Sequence, residues 1–235
     1  MPDSYVAKPL SPLRKVIAAR MTEANRNIPH FRVSCDIEVD ALLLARQHAR
    51  ERDPQAPLSI NDLLIKAVAL SLVDVPAVNV CWNDTEIHEH RTADISIVVG
   101  LQGGGVMTPV VRNAEVRTVW ELSREIRDLV SRARSNALRM TELVGGSFSV
   151  SNLGMYDVDR FDAIINAPQC AILAVGAVKP RVIGTADLDV RVVKAMTATL
   201  SLDHRAIDGA TGAQFLSTLK QHIERPEGLF AKSQP

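Results

Sequence analysis

The segment Asp203-His204-Arg205-Ala206-Ile207-Asp208-Gly209 sets a histidine and an aspartate four residues apart, directly after a strand-like run from Val190 to Leu202. Histidine titrates nearest neutral pH, so His204 can take a proton from a thiol or hydroxyl and return it. Asp208 before Gly209 offers a turn and a helix N-cap that would fix the backbone carrying the ring. The plain alternative is a satisfied core or cap histidine, but a position at a strand end, where loops carry function, favours chemistry.

A second candidate lies in Ser147-Phe148-Ser149-Val150-Ser151-Asn152-Leu153-Gly154. Alternation over the first five residues predicts a strand, and Asn152 to Gly154 predicts a turn. Ser151 thus stands at a strand end, where its hydroxyl can donate to a tetrahedral oxyanion, a contribution of about 2.7–4 kcal/mol when well placed. Bonding of serine and asparagine to local backbone competes with that role. His88-Glu89-His90 has two potential metal ligands but no third nearby, and Asp84, Glu86 and Arg91 around it suit a solvated hairpin, so no metal is expected. His30, His48 and His222 are isolated and are assigned no role.

The elements that must position these residues follow from periodicity. Ser11-Pro12 predicts a helix start, with Val16, Ile17, Met21 and Ala24 on one face. His30 to Val39 alternates as a half-buried strand, and Asp40 is expected to cap a helix that Asp53-Pro54 ends. Ser59-Ile60-Asn61-Asp62 opens the most apolar helix, Leu63 to Leu72, which is therefore expected at the centre. Strands are predicted at Val78 to Trp82 and Asp94 to Leu101. Gly103-Gly104-Gly105 then reverses the chain into a strand from Val106 to Val111. Without Gly-Lys-Ser/Thr after it, that glycine cluster is no phosphate loop. A charged helix from Trp120 to Ala137, strands at Ala171 to Val178 and Val190 to Leu202, and a helix from Ala210 to Ile223 complete one α/β domain with a mixed sheet.

Composition narrows the function classes. The 235 residues are 46% apolar, enough for a substantial core. The 27 basic and 27 acidic residues balance and are dispersed, which argues against a nucleic-acid footprint and leaves room for self-association. Cys35, Cys81 and Cys170 are scattered among apolar neighbours and read as core residues of a reduced, cytoplasmic protein. The longest apolar run, around Cys170 to Val178, is too short to span a membrane, and no targeting segment is read at the N-terminus.

Taken in order, these pieces resemble the catalytic domain of dihydrolipoamide acyltransferases, the core subunits of 2-oxo acid dehydrogenase complexes. The resemblance begins with Pro9-Leu10-Ser11-Pro12-Leu13-Arg14-Lys15 and continues through Ile28-Pro29-His30-Phe31, Ile60-Asn61-Asp62 and Thr108-Pro109-Val110-Val111-Arg112-Asn113. It goes on through Ser151-Asn152-Leu153-Gly154-Met155, Ile165-Asn166-Ala167-Pro168-Gln169 and Asp203-His204-Arg205. On that basis residues 1–10 are expected to be an arm or linker remnant, 11–230 the acyltransferase domain and 231–235 a tail.

The resemblance implies a chloramphenicol acetyltransferase-like two-layer sandwich, a mixed β-sheet flanked by helices, assembled as a trimer with its site between subunits. It implies His204 as the general base on a thiol of coenzyme A or dihydrolipoamide, Ser151 as the oxyanion donor and Asp208 as the residue ordering the histidine loop. Ser151 and His204 would come from different chains. Asn152-Leu153-Gly154-Met155 looks most like the pyruvate or acetoin branch, which makes acetyl the expected acyl group. Lipoamide would arrive on another domain or chain, because no Asp-Lys-Ala lipoyl-lysine turn occurs here, and the partners would be a lipoyl-carrying domain and 2-oxo acid dehydrogenase components. A free-standing coenzyme A-dependent enzyme with another acceptor, and a non-catalytic core scaffold, are the alternatives. Three departures from the family pattern stand out. Lipoyl and subunit-binding domains, usual ahead of this domain, are not seen. Gly103-Gly104-Gly105 is looser than the usual turn, and Asp157 stands where glycine is commoner. Leu229-Phe230 could serve as the apolar hook that joins trimers into cages, although Ala231 to Pro235 follow it.

Overall fold

Alternating sequence builds a sheet, and the most continuously apolar sequence builds helices against one of its faces. The computed structural model describes residues 4–53, 58–102, 104–185 and 187–231. In chain order the elements are α1 (Pro12–Asn27), β1 (His30–Glu38), α2 (Asp40–Arg52) and α3 (Ile60–Asp74), then β2 (Val80–Asn83) and β3 (Glu86–Glu89). There follow β4 (Ile95–Ile97), β5 (Val99–Gly100), β6 (Val106–Met107), β7 (Val110–Val111) and α4 (Val119–Arg134). The last part contains β8 (Phe148–Asn152), β9 (Ala171–Val175), β10 (Lys179–Gly184), β11 (Val190–Asp203) and α5 (Gly209–Glu224).

The main sheet has the order β1-β11-β9-β8-β4-β7, with β10 also paired to β11. β8 runs parallel to both β4 and β9, and the other pairs are antiparallel, so the sheet is mixed as the sequence predicts. Side chains alternate between its faces. Phe148, Val150, Leu173, Val175, Leu200 and Leu202 join the main core with residues of α3 and α5. Phe148 meets Phe215 of α5 with ring centroids 5.5 Å apart. The opposite face carries buried hydroxyls on three strands, Ser96 of β4, Ser149 and Ser151 of β8, and Thr199 and Ser201 of β11, with Ile172 and Ala174 of β9 in register between the last two strands. A smaller apolar cluster of Ala24, Ile28, Ala163 and Ile165 covers that face over Ile172 and Ala174 of β9.

Local chemistry explains most boundaries. Ser11 caps α1 through the Arg14 N–H, and Pro12 occupies its first position. Ser59 and Asp62 form a reciprocal capping box on α3, whose interior is buried nearly all round. Buried Lys66 spends its ammonium on the carbonyls of Glu115 and Arg117, both at 2.7 Å. Asp40 does not cap α2 as expected. Val39 holds that position without a side-chain bond, and the Asp40 carboxylate accepts the Lys194 N–H instead. α4 starts one residue early because Thr118 and Glu121 form a second capping box, and it ends at Arg134. The predicted strands over 94–101 and 106–111 each break in two, and β10 was not anticipated.

Of the predicted apolar stripe on α1, Ala24 is buried, Ile17 and Met21 are half-buried and Val16 is exposed, so the stripe is covered only in part. Cys81 and Cys170 are core residues as expected, but Cys35 is only half-buried. Gly104 and Gly105 take left-handed φ of 92° and 100°, turning β5 into β6. A Cβ on Gly104 would lie 2.7 Å from the Arg14 guanidinium, so glycine lets this turn lie against α1. Gly103 of the predicted cluster, Pro54 of the predicted helix stop and residues 232–235 of the predicted tail lie outside the described residues. Among the described residues, no helix is long and apolar enough to cross a membrane.

Candidate active site

β11 delivers the chain to His204 through a tightly fixed turn. The His204 N–H donates to the Pro29 carbonyl at 3.1 Å, tying the turn to the start of β1. Its exposed ring stands edge-on to Phe31, with centroids 5.1 Å apart and planes at 67°. On either side, Asp203 and Arg205 lock to each other. Arg205 Nε donates to Asp203 Oδ1 at 3.0 Å and Nη2 to Oδ2 at 2.7 Å. The Arg205 guanidinium lies 4.5 Å from the centre of the Trp82 ring, a cation–π contact. The Asp203 carbonyl accepts N–H groups of both Ala206 and Ile207 at 3.0 Å. The histidine therefore projects from backbone held at several points, with its ring free to meet a partner.

Asp208 is the N-cap of α5, and its Oδ1 accepts the Thr211 N–H at 2.7 Å. The Thr211 N–H, then its hydroxyl and further on the positive charge of His204 when protonated, hold the Asp208 carboxyl below its ordinary pKa. The cap thus stays anionic while it fixes the exit of the histidine turn.

Ser151 sits one residue before the end of β8, buried on the polar face. Asn152, pointing to the opposite face, accepts the Gly154 N–H at 2.8 Å and donates to Asn61 Oδ1 at 3.3 Å. Ser149 bonds Gln169, whose amide nitrogen donates to Ser96 Oγ at 3.0 Å and to the Gly146 carbonyl at 2.9 Å. Ser96 and Gln169 line a cavity of about 640 Å³ that also reaches Arg20, Thr108 and Arg205.

One chain does not bring His204 and Ser151 together. Ser151 lies opposite Ala174, and Ala174 opposite Thr199, whereas His204 comes five residues after Thr199. At the rise of a β-strand the two are separated by roughly 16 Å along the sheet alone. His204 stands near the end where β8 and β9 begin, and Ser151 near the end where they finish.

Sequence reasoning passed over three positions. His30, given no role, accepts the Ile165 N–H at Nε2 (3.1 Å), so its proton is on Nδ1 and donates to the Ile28 carbonyl at 2.9 Å. It pins the 161–165 segment to the end of α1. Asn61 and Gln169 stand in the segments Ile60-Asn61-Asp62 and Ile165-Asn166-Ala167-Pro168-Gln169, but their partners are distant in sequence and periodicity carries no trace of them. The His88-Glu89-His90 segment lies on the β2–β3 hairpin and its continuation, where His88 pairs with Glu86 and His90 Nε2 lies 3.2 Å from Cys81 Sγ. Asp157 has a left-handed φ of 60°, which explains why glycine suits that place, and its carboxylate pairs with Lys179 at 2.9 Å.

A mixed sheet with helices against one face is a fold that this chain shares with known structures. Chloramphenicol acetyltransferase superposes with a TM-score of 0.54 at 12% identity, covering 91% of this chain and 96% of that one. The chain belongs to the 2-oxoacid dehydrogenases acyltransferase (catalytic domain) family, whose model matches residues 2–231. The probable dihydrolipoamide acetyltransferase of Listeria monocytogenes superposes with a TM-score of 0.88 at 30% identity, covering 94% of this chain and 95% of that one. The Azotobacter vinelandii dihydrolipoamide acetyltransferase, in whose mechanism a serine, a histidine and an asparagine have been investigated, gives a TM-score of 0.91 at 24% identity, covering 97% and 95%. A curated relative is the dihydrolipoyllysine-residue acetyltransferase component of the pyruvate dehydrogenase complex of Rhizobium meliloti. It is 44% identical over 234 residues, 97% of this chain and 52% of that protein. The chain spans about half the length of the curated relatives it matches.

Proposed function

We propose that this chain transfers an acetyl group between coenzyme A and dihydrolipoamide, as a core subunit of a pyruvate dehydrogenase-type complex. Family membership and the names of its relatives support the reaction class. The observation that carries the site is the separation of Ser151 and His204 to opposite ends of one sheet. A productive pair then requires two copies, His204 from one and Ser151 from the next, in a closed ring such as a trimer that could build a larger cage.

His204 takes the proton from the attacking thiol, and the thiolate adds to the carbonyl carbon of the acetyl thioester. The carbonyl becomes an oxyanion, to which the Ser151 hydroxyl donates a hydrogen bond. Collapse of the tetrahedral species breaks the other carbon–sulfur bond. The departing thiolate takes the proton back from the imidazolium, so the ring ends as it began. Asp208 holds the α5 start and with it the exit of the His204 turn; it acts by positioning. Coenzyme A is a substrate here, and the lipoyl group comes from a lipoyl-carrying domain served by the dehydrogenase components.

The test is acetyl transfer from acetyl-CoA to free dihydrolipoamide by the assembled protein beside its His204→Ala variant. Transfer that disappears in the variant supports the proposal. Absence of transfer by the unaltered assembly overturns it and favours another acceptor or a scaffold role.

A further inference from the structure

We propose that Asn61, the second residue of α3, is a positioning residue that sets the Ser151 hydroxyl from the far side of the sheet. The inference rests on the oxyanion role given to Ser151. β8 alternates, so Ser151 faces the polar side while Val150 and Asn152 face the helices. Asn61 reaches Asn152 on that helical side, with Asn152 Nδ2 donating to Asn61 Oδ1 at 3.3 Å. It is therefore screened from Ser151 by the sheet itself, and any influence must pass through the backbone of residue 152.

That backbone is otherwise leaving the sheet. β8 ends at Asn152, and a short helical turn follows at Gly154–Tyr156. Asn152 closes the turn by accepting the Gly154 N–H at 2.8 Å, while the Leu153 N–H donates to the Val175 carbonyl at 3.1 Å. The Asn61 amide oxygen thus tethers this turn to the helical layer. Its own position is fixed by the capping box of Ser59 and Asp62 that flanks it, with bonds of 3.1 Å and 2.8 Å, and by the buried helix that follows. A catalytic donor must be held to within about 0.5 Å, a demand met by supporting hydrogen bonds from rigid elements. The start of α3, anchored by its buried interior, supplies one at the strand end next to Ser151.

The experiment compares Asn61→Ala and Asn61→Asp in the assembled full chain, each with and without Ser151→Ala, by acetyl transfer from acetyl-CoA to dihydrolipoamide. Asn61→Ala should lower kcat about tenfold with little change in KM, consistent with a misplaced donor. Asn61→Asp keeps the acceptor oxygen and should restore kcat, and its negative charge at a helix N-terminus favours folding. In the Ser151→Ala background Asn61→Ala should cost nothing further, because the group it positions is gone. Equal losses in both backgrounds, or a kcat that is unchanged by Asn61→Ala, would overturn the positioning role and leave Ser151 untouched. Full turnover in Ser151→Ala alone would remove the oxyanion role and this inference with it.

Discussion

Asp203 and Arg205 grip each other across His204: the carboxylate, 1% exposed, receives two parallel N–H bonds from a guanidinium that also lies over Trp82. The proposed base is therefore carried between two side chains that cannot move independently. Bidentate guanidinium–carboxylate pairs are geometrically demanding, which suits a turn that must hold one orientation.

Replacing Arg205 with Met should destabilise the fold by about 2–3 kcal/mol. The loss of the partner leaves a buried carboxylate uncompensated, and the partial exposure of the arginine places the effect below the largest values for buried pairs. Denaturant unfolding measures it. Arg205→Lys should recover little of the loss, since an ammonium cannot reproduce the fork.

His204→Ala should reduce acetyl transfer by about 10²–10⁴ by removing the general base. Ser151→Ala should reduce kcat by about 10²–10³ if its hydroxyl is the oxyanion donor. Both variants should keep the wild-type assembly and melting temperature to within a few degrees. Steady-state kinetics and light scattering check the two halves of the prediction.

The Asp208 cap gives stability a definite pH dependence. Its carboxyl is held below the ordinary value by the N–H and hydroxyl of Thr211, so the folded state binds its proton less readily than the unfolded chain does. That contribution is complete above the ordinary aspartate pKa of about 3.9 and is lost as pH falls through the lower folded value. Asp208→Asn should therefore be less stable than the parent at pH 7 and converge with it at the acid end. Melting curves at the two pH values measure the difference.

Burial pushes the Cys81 thiol up to about 11 and the Cys170 thiol up to about 12. Thiolate is the reactive form, so neither should be alkylated by iodoacetamide at pH 8 in the folded protein, and both should react after unfolding. Mass spectrometry of labelled peptides reads this directly. Rapid labelling of Cys170 in the native state would contradict its place in the core.

The parts of the fold legible from sequence were those governed by local chemistry. Ser11-Pro12 marked α1, the apolar run from Leu63 marked α3, and the alternation from Phe148 marked β8. The errors arose where tertiary pairing decides. β10 forms because Lys179 to Gly184 finds β11 beside it, although its sequence carries Pro180 and ends in glycine. Asp40 satisfies a backbone N–H of distant Lys194 instead of its own helix. The site divides in the same way. His204, Asp208 and Ser151 announce themselves by residue type at strand ends, and Asp208 proves to be the helix cap its neighbours suggested. Asn61, Gln169 and His30 act through partners 91, 73 and 135 residues away, which no local pattern encodes.

The most direct test of a site shared between copies is complementation between two crippled chains. His204→Ala and Ser151→Ala are co-expressed with different tags, the mixed assemblies are isolated through both tags in turn, and acetyl transfer is measured. In a trimer where each site takes His204 from one copy and Ser151 from the next, every ring that contains both variants has one intact site of its three. The shared-site account predicts recovery to about a third of wild-type turnover in trimers containing both variants. Activity that stays at the level of the separate variants would contradict it.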